Sequence, residues 1–388
     1  MERSSTSRRM ISEKKKSSGM FEKFDYVIFF STLALVLFGI IMVFSASYYI
    51  AGTDAGYNYD SYFFLKKNLI FAGVGFLGMI IFMFVDYNSL KKWARFIYAA
   101  AILALVVVLI AGKTVNGAKR WLEIGGFSIQ PGELAKFAVI VTLSSFISKR
   151  KDLLKTKIGL LKCVAVMAVP TVLVGKENLS TAIIIGIIGF MIILVATPEF
   201  KRDFTILSVA GILVVVVAIA AGAVFRMERI KVWLDPFTAD KDKAYQTVQS
   251  LYAIASGGMF GLGLGQSRQK LGFIPEAQND IIFAVICEEL GIVGAIMLVI
   301  LFGVFIWRGY AVAMKADTRF GCYVATGITT MVATQCVINM SVVTNTMPNT
   351  GVPLPFISYG GTALFVMMSL VGILINISKN DKNDSNSI

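Results

Sequence analysis

The chain alternates between long apolar runs and short polar segments. Apolar runs occupy residues 26–48, 68–85, 96–112, 131–148, 163–175, 178–196, 204–225, 281–306, 320–343 and 362–378. A helix needs about 20 residues to cross a hydrocarbon core about 30 Å thick, a length that nearly all the runs approach, whereas 163–175 is short and depends on its neighbours. The pattern predicts an all-α, polytopic membrane protein with ten transmembrane helices and both termini on one side.

Composition supports this class and removes several kinds of chemistry. Of the 388 residues 56% are hydrophobic and only 16% are charged, with mean hydropathy +0.73, which is more apolar surface than a soluble domain can bury. The absence of histidine excludes catalytic triads based on imidazole. Cysteines lie in or beside apolar runs and are predicted to be buried thiols: Cys163, Cys287, Cys322 and Cys336.

The distribution of charge predicts the orientation. If the N-terminus is inside, 23 of the 37 Lys and Arg residues and +12 of the +13 net charge fall on the inner side. Such a bias is typical of cytoplasmic segments, and it explains the positive charge without a nucleic-acid partner. We therefore predict a disordered cytoplasmic tail (1–25), a ten-span membrane domain (26–378) and a second cytoplasmic tail (379–388).

Three polar loops share the predicted outer side. The longest, 226–280, lies between helices 7 and 8, and a loop of this length is more often functional than filler. The others are Lys113–Gln130 and the proline-rich Thr344–Gly361. Gly257–Gly265 is rich in glycine, but it follows no strand and lacks a Gly-Lys-Ser/Thr sequence, so we do not interpret it as a nucleotide loop.

Asp280 stands after Pro275 and directly before the apolar run 281–306. One interpretation is a helix N-cap, whose carboxylate accepts backbone N–H groups of the next turn. The other is catalysis, because a chain without histidine has carboxylates as its natural general bases.

Charged residues near or inside the apolar runs leave similar choices open. Glu133 and Lys136 are either a structural ion pair on one helix face or residues that line a cavity. Glu288 and Glu289 point about 100° apart on a helix, so only one of them needs to line such a cavity. Outer cations are either interfacial anchors or a phosphate-binding patch: Lys119 and Arg120, followed by Arg226 and Arg229.

Five stretches, in order along the chain, resemble the SEDS (shape, elongation, division and sporulation) family, and more closely its FtsW and SpoVE branch than RodA. They are Asp25 with Phe44–Ser47; Asn116–Trp121 with Gln130–Lys136; Tyr245–Gln246 with Gln249–Ala253 and Ser256–Gly258; Pro275–Ala277 with Asp280, Phe283–Ala284 and Glu288–Gly291; and Gly351–Gly361. Asn178 departs from the family pattern, which has a carboxylate there, so we expect no proton or metal role for it.

The resemblance implies a peptidoglycan glycosyltransferase of the bacterial cytoplasmic membrane that acts on its extracytoplasmic side in cell division or sporulation. Its substrate would be lipid II, a disaccharide-pentapeptide on undecaprenyl pyrophosphate, joined into β-1,4 glycan with inversion at the sugar. Asp280 matches the family's essential Asp and is the implied general base. Candidate contacts with lipid II and its pyrophosphate are Lys119, Arg120, Glu133, Lys136, Arg229, Glu288 and Ser358.

The resemblance also implies a class B penicillin-binding protein as partner, with other divisome membrane proteins and membrane lipid. We predict no cofactor and no protein-bound metal. A divalent cation, Mg²⁺ or Mn²⁺, is the alternative counter-ion for pyrophosphate, although no carboxylate cluster has octahedral spacing. Two other functions remain open: a lipid II flippase or transporter, which ten spans and intramembrane acids would also suit, and a non-catalytic division scaffold.

Overall fold

The computed structural model describes residues 24–379, apart from residues 116–117, 125–126, 151 and 222. The predicted tails, except for Phe24, Asp25 and Lys379, lie outside the described residues, as do Asn116 and Gly117 of the second family stretch.

Twelve α-helices, two short 3₁₀ helices (Ala55–Tyr57 and Leu153–Lys155) and three short strands form the described chain. The helices are α1 (Tyr26–Thr53), α2 (Phe63–Phe84), α3 (Asn88–Ala111), α4 (Pro131–Ser148), α5 (Lys157–Gly175), α6 (Leu179–Ala196), α7 (Phe200–Ala221), α8 (Ala223–Leu234), α9 (Lys241–Gly257), α10 (Ile282–Lys315), α11 (Arg319–Val343) and α12 (Gly361–Lys379). The strands are β1 (Lys113–Val115), β2 (Ala118–Ile124) and β3 (Phe127–Ile129).

The predicted helical, polytopic membrane fold is confirmed. Within the described residues nine helices are long and apolar enough to cross a membrane, and each coincides with one of the ten predicted runs. The tenth run, 204–225, falls on α7 and the start of α8, part of which lies outside the described side chains. The total of ten spans and the cytoplasmic location of both termini therefore stay predictions.

Two outer loops contain secondary structure that the hydrophobic pattern did not predict. In Lys113–Gln130 the three strands form an antiparallel sheet in the order β1-β2-β3, with Lys113 opposite Trp121 and Leu122 opposite Ile129. In the long loop, α8 and α9 are amphipathic helices in which charged residues (α8) or uncharged polar residues (α9) interrupt any long apolar run. Both features bring polar side chains to the same end of the helix bundle.

Small residues let the central helices approach closely. A side-chain carbon added at Gly372 of α12 would lie 2.3 Å from the Met79 carbonyl of α2, and one at Gly75 would lie 2.7 Å from the Met368 sulfur. Such contacts are the usual means of packing helices in a membrane, where lipid offers little hydrophobic drive for helix association. Helices α4, α11 and α12 are mostly buried by this packing, whereas most residues of α3 and α5 are at least partly exposed.

Candidate active site

Asp280 lies at the mouth of α10 without capping it. The helix begins at Ile282, and Ile281 occupies the cap position with no side-chain hydrogen bond. The N-cap interpretation of Asp280 is therefore wrong for this chain. The residue is of intermediate exposure.

The loop Thr344–Gly361 covers this acid. Asn339, buried in α11, donates a hydrogen bond of 2.6 Å to the Asp280 carbonyl and one of 2.8 Å to the Val352 carbonyl. Gly351 adopts φ +63°, and a side-chain carbon there would lie 3.3 Å from Asp280 Oδ2. Glycine is therefore favoured at this position both by its backbone conformation and by the closeness of the carboxylate.

The surroundings of Asp280 raise the pKa of its carboxyl toward neutral pH. Burial raises the pKa of the Asp280 carboxyl to about 6, and the nearby Glu276 carboxylate adds to this shift. The acid's own backbone N–H and the Arg229 guanidinium oppose it. A general base is most effective when its pKa lies near the working pH, so Asp280 is suited to accept a proton at neutral pH.

Arg229 is the predicted cation that acts directly on this acid. It lies on α8 and donates a hydrogen bond of 3.2 Å to the Asn349 carbonyl. The Asn349 side chain donates in turn to Gln246 of α9, at 3.0 Å. The two short outer helices thus present Arg229 beside Asp280 through the proline-rich loop.

Lys119 and Arg120 line a separate cleft at the same end of the helix bundle. The Lys119 backbone N–H donates to Glu177 Oε2, and Arg120 Nε donates to the Glu177 carbonyl, both at 2.9 Å. A small cleft of about 30 Å³ opens beside them. Its polar rim also holds Gln130, Glu177 and Asn178, and its apolar wall is formed by Leu105, Val108, Leu109, Leu173 and Val174.

The two places are joined through the proline-rich loop. Ser180, three residues after Glu177, donates a hydrogen bond of 3.0 Å to the Thr350 carbonyl, and Thr350 precedes the Gly351 that covers Asp280. This hydrogen bond connects the loop that carries Glu177, the partner of Arg120, to the loop beside Asp280, although no described hydrogen bond links Asp280 and Arg120 directly. Asn178 caps α6 by accepting from the Thr181 N–H at 3.1 Å, which is a structural role.

Glu133 and Lys136 form a buried ion pair in α4, with 2.7 Å between Lys136 Nζ and Glu133 Oε1. Their side chains are 3% and 1% exposed, so both charges are removed from solvent. Glu133 Oε2 is buried without a hydrogen-bond partner among the described residues, and its neighbour Gly132 lines the cleft. A buried polar atom without a partner is a place where a ligand or water gains a strong contact.

Glu288 and Ser358 have contacts of a structural kind. Both Glu288 oxygens accept hydrogen bonds from the chain between α9 and α10, including the Ser267 hydroxyl and the Arg268 N–H at 3.0 Å. Ser358 Oγ accepts from the Leu354 N–H at 2.8 Å and so closes a turn of its own loop. The structure places neither residue beside Asp280 through a described contact.

Sequence reasoning missed Asn339, Glu177 and Asn349. Asn339 could have been found, since an amide inside the apolar run 320–343 marks a buried contact. The other two lie in loops whose partners are set by folding. Among the described residues no group of three or more His, Cys, Asp or Glu could hold a metal ion.

The fold and this surface define a multi-pass membrane protein with a carboxylate and cations at one end of its helices. A family model described as "Cell cycle protein", which joins FtsW, RodA and SpoVE, matches residues 25–383, so the chain belongs to this family. The family predicted from the five stretches is confirmed.

Curated relatives support the same membership, and a solved structure shares the fold. The chain is 38% identical to stage V sporulation protein E of Bacillus subtilis (strain 168) over 92% of this chain and 97% of that protein. It is 34% identical to a probable peptidoglycan glycosyltransferase FtsW of Geobacter sp. (strain M18), with the same coverage. In fold it resembles a chain of a peptidoglycan synthase complex in which polymerization and crosslinking are coordinated, with TM-score 0.78, 23% identity, and 94% and 100% of the chains covered.

Proposed function

We propose that the chain is a peptidoglycan glycosyltransferase that polymerises lipid II into β-1,4 glycan, with Asp280 as general base. The observation that carries the proposal is Asp280 itself, a partly buried carboxylate with a pKa of about 6, held beside Arg229 at the mouth of α10. The naming of relatives such as the Geobacter FtsW as probable peptidoglycan glycosyltransferases supports this reaction.

In this reaction Asp280 takes the proton from the acceptor sugar's 4-hydroxyl as its oxygen attacks the anomeric carbon of the donor. The bond from that carbon to the pyrophosphate oxygen breaks on the opposite face, so the configuration inverts. The leaving pyrophosphate needs no proton if cations meet its developing charge. Arg229 is a cation whose charge acts on the base, and Lys119 and Arg120 supply further positive charge at the cleft.

The cleft beside Arg120 fits the junction between pyrophosphate and lipid. Two cations line one side of the cleft, and leucine and valine side chains from α3 and α5 line the other. The ligand has a matching arrangement, since its charged phosphate is followed by an apolar prenyl chain. Glu133 Oε2, which has no hydrogen-bond partner among the described residues, lies next in sequence to Gly132 of the cleft wall and is a further candidate contact.

Further parts of the proposal concern sidedness, partner and metal. The site faces the extracytoplasmic side, as the positive-inside charge pattern favours. A class B penicillin-binding protein is the partner, since the matched structure couples polymerization to crosslinking. Mg²⁺ or Mn²⁺ bound to the pyrophosphate is the alternative counter-ion. The fall in polymerisation rate when a chelator is added would measure how much the metal contributes to stabilising the leaving group.

The test is polymerisation of purified lipid II in detergent by the full chain with its cognate partner. Asp280→Asn should reduce glycan formation by at least about 100-fold, since it removes the base, while Asp60→Asn should keep the normal rate. Asp60 is a suitable control because it is an outer-loop acid whose described partners, Lys66 and the Tyr62 N–H, belong to the same loop and the start of α2. Detergent removes sidedness, so a flippase would give no glycan with any variant, and full activity of the Asp280 variant would overturn the assignment of the base.

A further inference from the structure

The glycine-rich segment Gly257–Gly265 supplies hydrogen-bond partners for backbone groups at a break in the membrane-spanning helix α10. Gly291 interrupts α10 with φ 67° and ψ −167°, a conformation open almost only to glycine. Backbone groups on both sides of the break pair with the segment: Leu262 N–H with the Glu288 carbonyl (2.9 Å), Gly263 N–H with the Glu289 carbonyl (3.0 Å), Ile292 N–H with the Gly258 carbonyl (3.0 Å) and Val293 N–H with the Met259 carbonyl (3.1 Å).

This pairing brings two backbones into direct contact. A side-chain carbon at Gly261 would lie 2.1 Å from the Glu289 carbonyl oxygen, and one at Gly257 would lie 2.0 Å from the Cys287 carbonyl oxygen. Neither position has room for a larger residue unless the backbone moves. The glycines that suggest a nucleotide loop in the sequence therefore serve contact between main chains.

Two polar contacts between α1 and α10 bound an uncharged stretch of both helices, residues 26–44 and 290–307. At one end Arg308 of α10 pairs with Asp25, the N-cap of α1. At the other end Glu289 of α10 accepts from Ser45 of α1 at 2.7 Å. Glu289 and Ser45 lie about 28 Å and about 30 Å from the first pair along their own helices, at 1.5 Å per residue. The two contacts are thus about one hydrocarbon thickness apart.

The glycine-rich segment reaches inward from the Glu289 level. Its carbonyls bond to Ile292 and Val293, which lie three and four residues closer to Arg308. At 1.5 Å per residue these bonds lie roughly 5 Å inside the hydrocarbon boundary. Non-helical backbone is tolerated at such depth only where its polar groups are paired, and the four hydrogen bonds to α10 supply this pairing.

The side chains of the segment are suited to lipid. Met259, Phe260 and Leu264 are exposed, Phe260 by 79%, and residues 244–267 contain no charge. On α10 the neighbouring exposed residues are also apolar: Ile292, Val293, Ile296 and Met297. The segment and α10 therefore present one continuous apolar surface, which would be unfavourable in water but is normal against acyl chains.

We propose that Gly257–Gly265 is a re-entrant segment whose exposed side chains contact lipid acyl chains in the leaflet nearer Glu289. It enters the membrane beside α10 and returns to the polar surface, where Lys270 and Ser267 bind Glu289 and Glu288. Because α10 begins next to Asp280, the membrane itself helps to hold the loop that presents this acid. The assignment stands on burial and depth and is independent of the proposed reaction.

The test measures collision of a nitroxide label with oxygen, which concentrates in lipid, and with a water-soluble nickel chelate. Labels at Phe260→Cys and Leu264→Cys are compared in full-length protein in lipid nanodiscs, with Cys322→Ala to remove the half-buried native thiol. Met297→Cys on the exposed face of α10 serves as lipid reference, and Glu123→Cys, at an exposed charged position of β2 in the outer loop Lys113–Gln130, serves as water reference.

We expect residues 260 and 264 to match Met297→Cys, with oxygen access several times greater than nickel access, and Glu123→Cys to show the reverse order. Nickel access at residue 260 equal to that at residue 123 would overturn the proposal. So would a label shielded from both reagents, since a second protein chain would then cover the surface. Two labelled positions keep the result decisive if one variant fails to fold.

Discussion

Asn339 holds Asp280 in place from the neighbouring helix, through a hydrogen bond of 2.6 Å from its side-chain amide to the Asp280 carbonyl. The same amide holds Val352 of the proline-rich loop at 2.8 Å. One buried side chain thus joins the loop that carries the acid to the loop that covers it.

Replacing Asn339 with alanine should therefore weaken both activity and folding. Two buried carbonyls lose their donor, and each such loss destabilises a protein by about 1–3 kcal/mol. Lipid II polymerisation per folded molecule should fall about tenfold or more, because the base is no longer positioned. The measurements are thermal unfolding and the polymerisation rate.

Asn376→Ala is the matched control for this variant. Asn376 also holds two separate stretches, by donating to the Met83 carbonyl and accepting from the Tyr87 N–H, but it lies in α12 away from Asp280. It should lose stability while each folded molecule keeps its rate. Equal loss of rate in both variants would show that Asn339 acts only through stability.

The pH dependence of polymerisation should report the base. The pKa of Asp280 is raised to about 6, chiefly by burial, and a general base works only when deprotonated. At limiting substrate the rate should rise with pH through about 6 and then level off. A rate that is flat from pH 5 to pH 8 would contradict this role.

Two substitutions should move this pH profile in opposite directions. Glu276 raises the pKa of Asp280, so Glu276→Gln should move the rise in rate to lower pH. Arg229 lowers that pKa, so Arg229→Gln should move the rise to higher pH and also weaken substrate binding. Shifts in the same direction would mean that a different group titrates.

Gly291→Ala should destabilise the membrane domain. An alanine carbon would lie 2.4 Å from the Gly261 nitrogen, and φ 67° is itself strained for any residue with a side chain. Gly303→Ala on the same helix is the control, since nothing lies within 4 Å of its added carbon. A thiol-reactive dye can follow thermal unfolding through the native cysteines, three of which are buried. Equal midpoints would contradict the close backbone contact.

Lys270→Met should be more harmful than an ordinary loss of a surface ion pair. Lys270 Nζ lies 2.7 Å from Glu289 Oε1, with the side chains 7% and 0% exposed, so its removal leaves a buried charge without its partner. Breaking such a pair typically destabilises a protein by about 3–5 kcal/mol.

The combined variant Lys270→Met with Glu289→Gln should recover part of this loss, because the buried charge is then gone. Lys66→Met is the control, as Lys66 and Asp60 form an exposed pair that water screens. A thermal midpoint as low in Lys66→Met as in Lys270→Met would contradict the importance of burial.

Local patterns could predict much of this molecule because they depend on nearby residues alone. The apolar runs predicted the nine spanning helices of the described chain, since a helix satisfies its own backbone in lipid. Asp280 was predicted as a candidate by its position before a run and by the lack of histidine. The family resemblance, carried by short stretches in fixed order, is confirmed.

The sequence by itself thus determined the class of fold, the family and the acid at the mouth of α10. The tertiary structure alone decided that Glu288 and Glu289 hold a loop, that glycines close a broken helix, and that Arg229 acts on Asp280. These outcomes depend on residues far apart in the chain, such as Ser45 and Glu289, which are brought together only when helices pack. Hydropathy and spacing describe one segment at a time, whereas the partner of a buried charge is set by the whole fold.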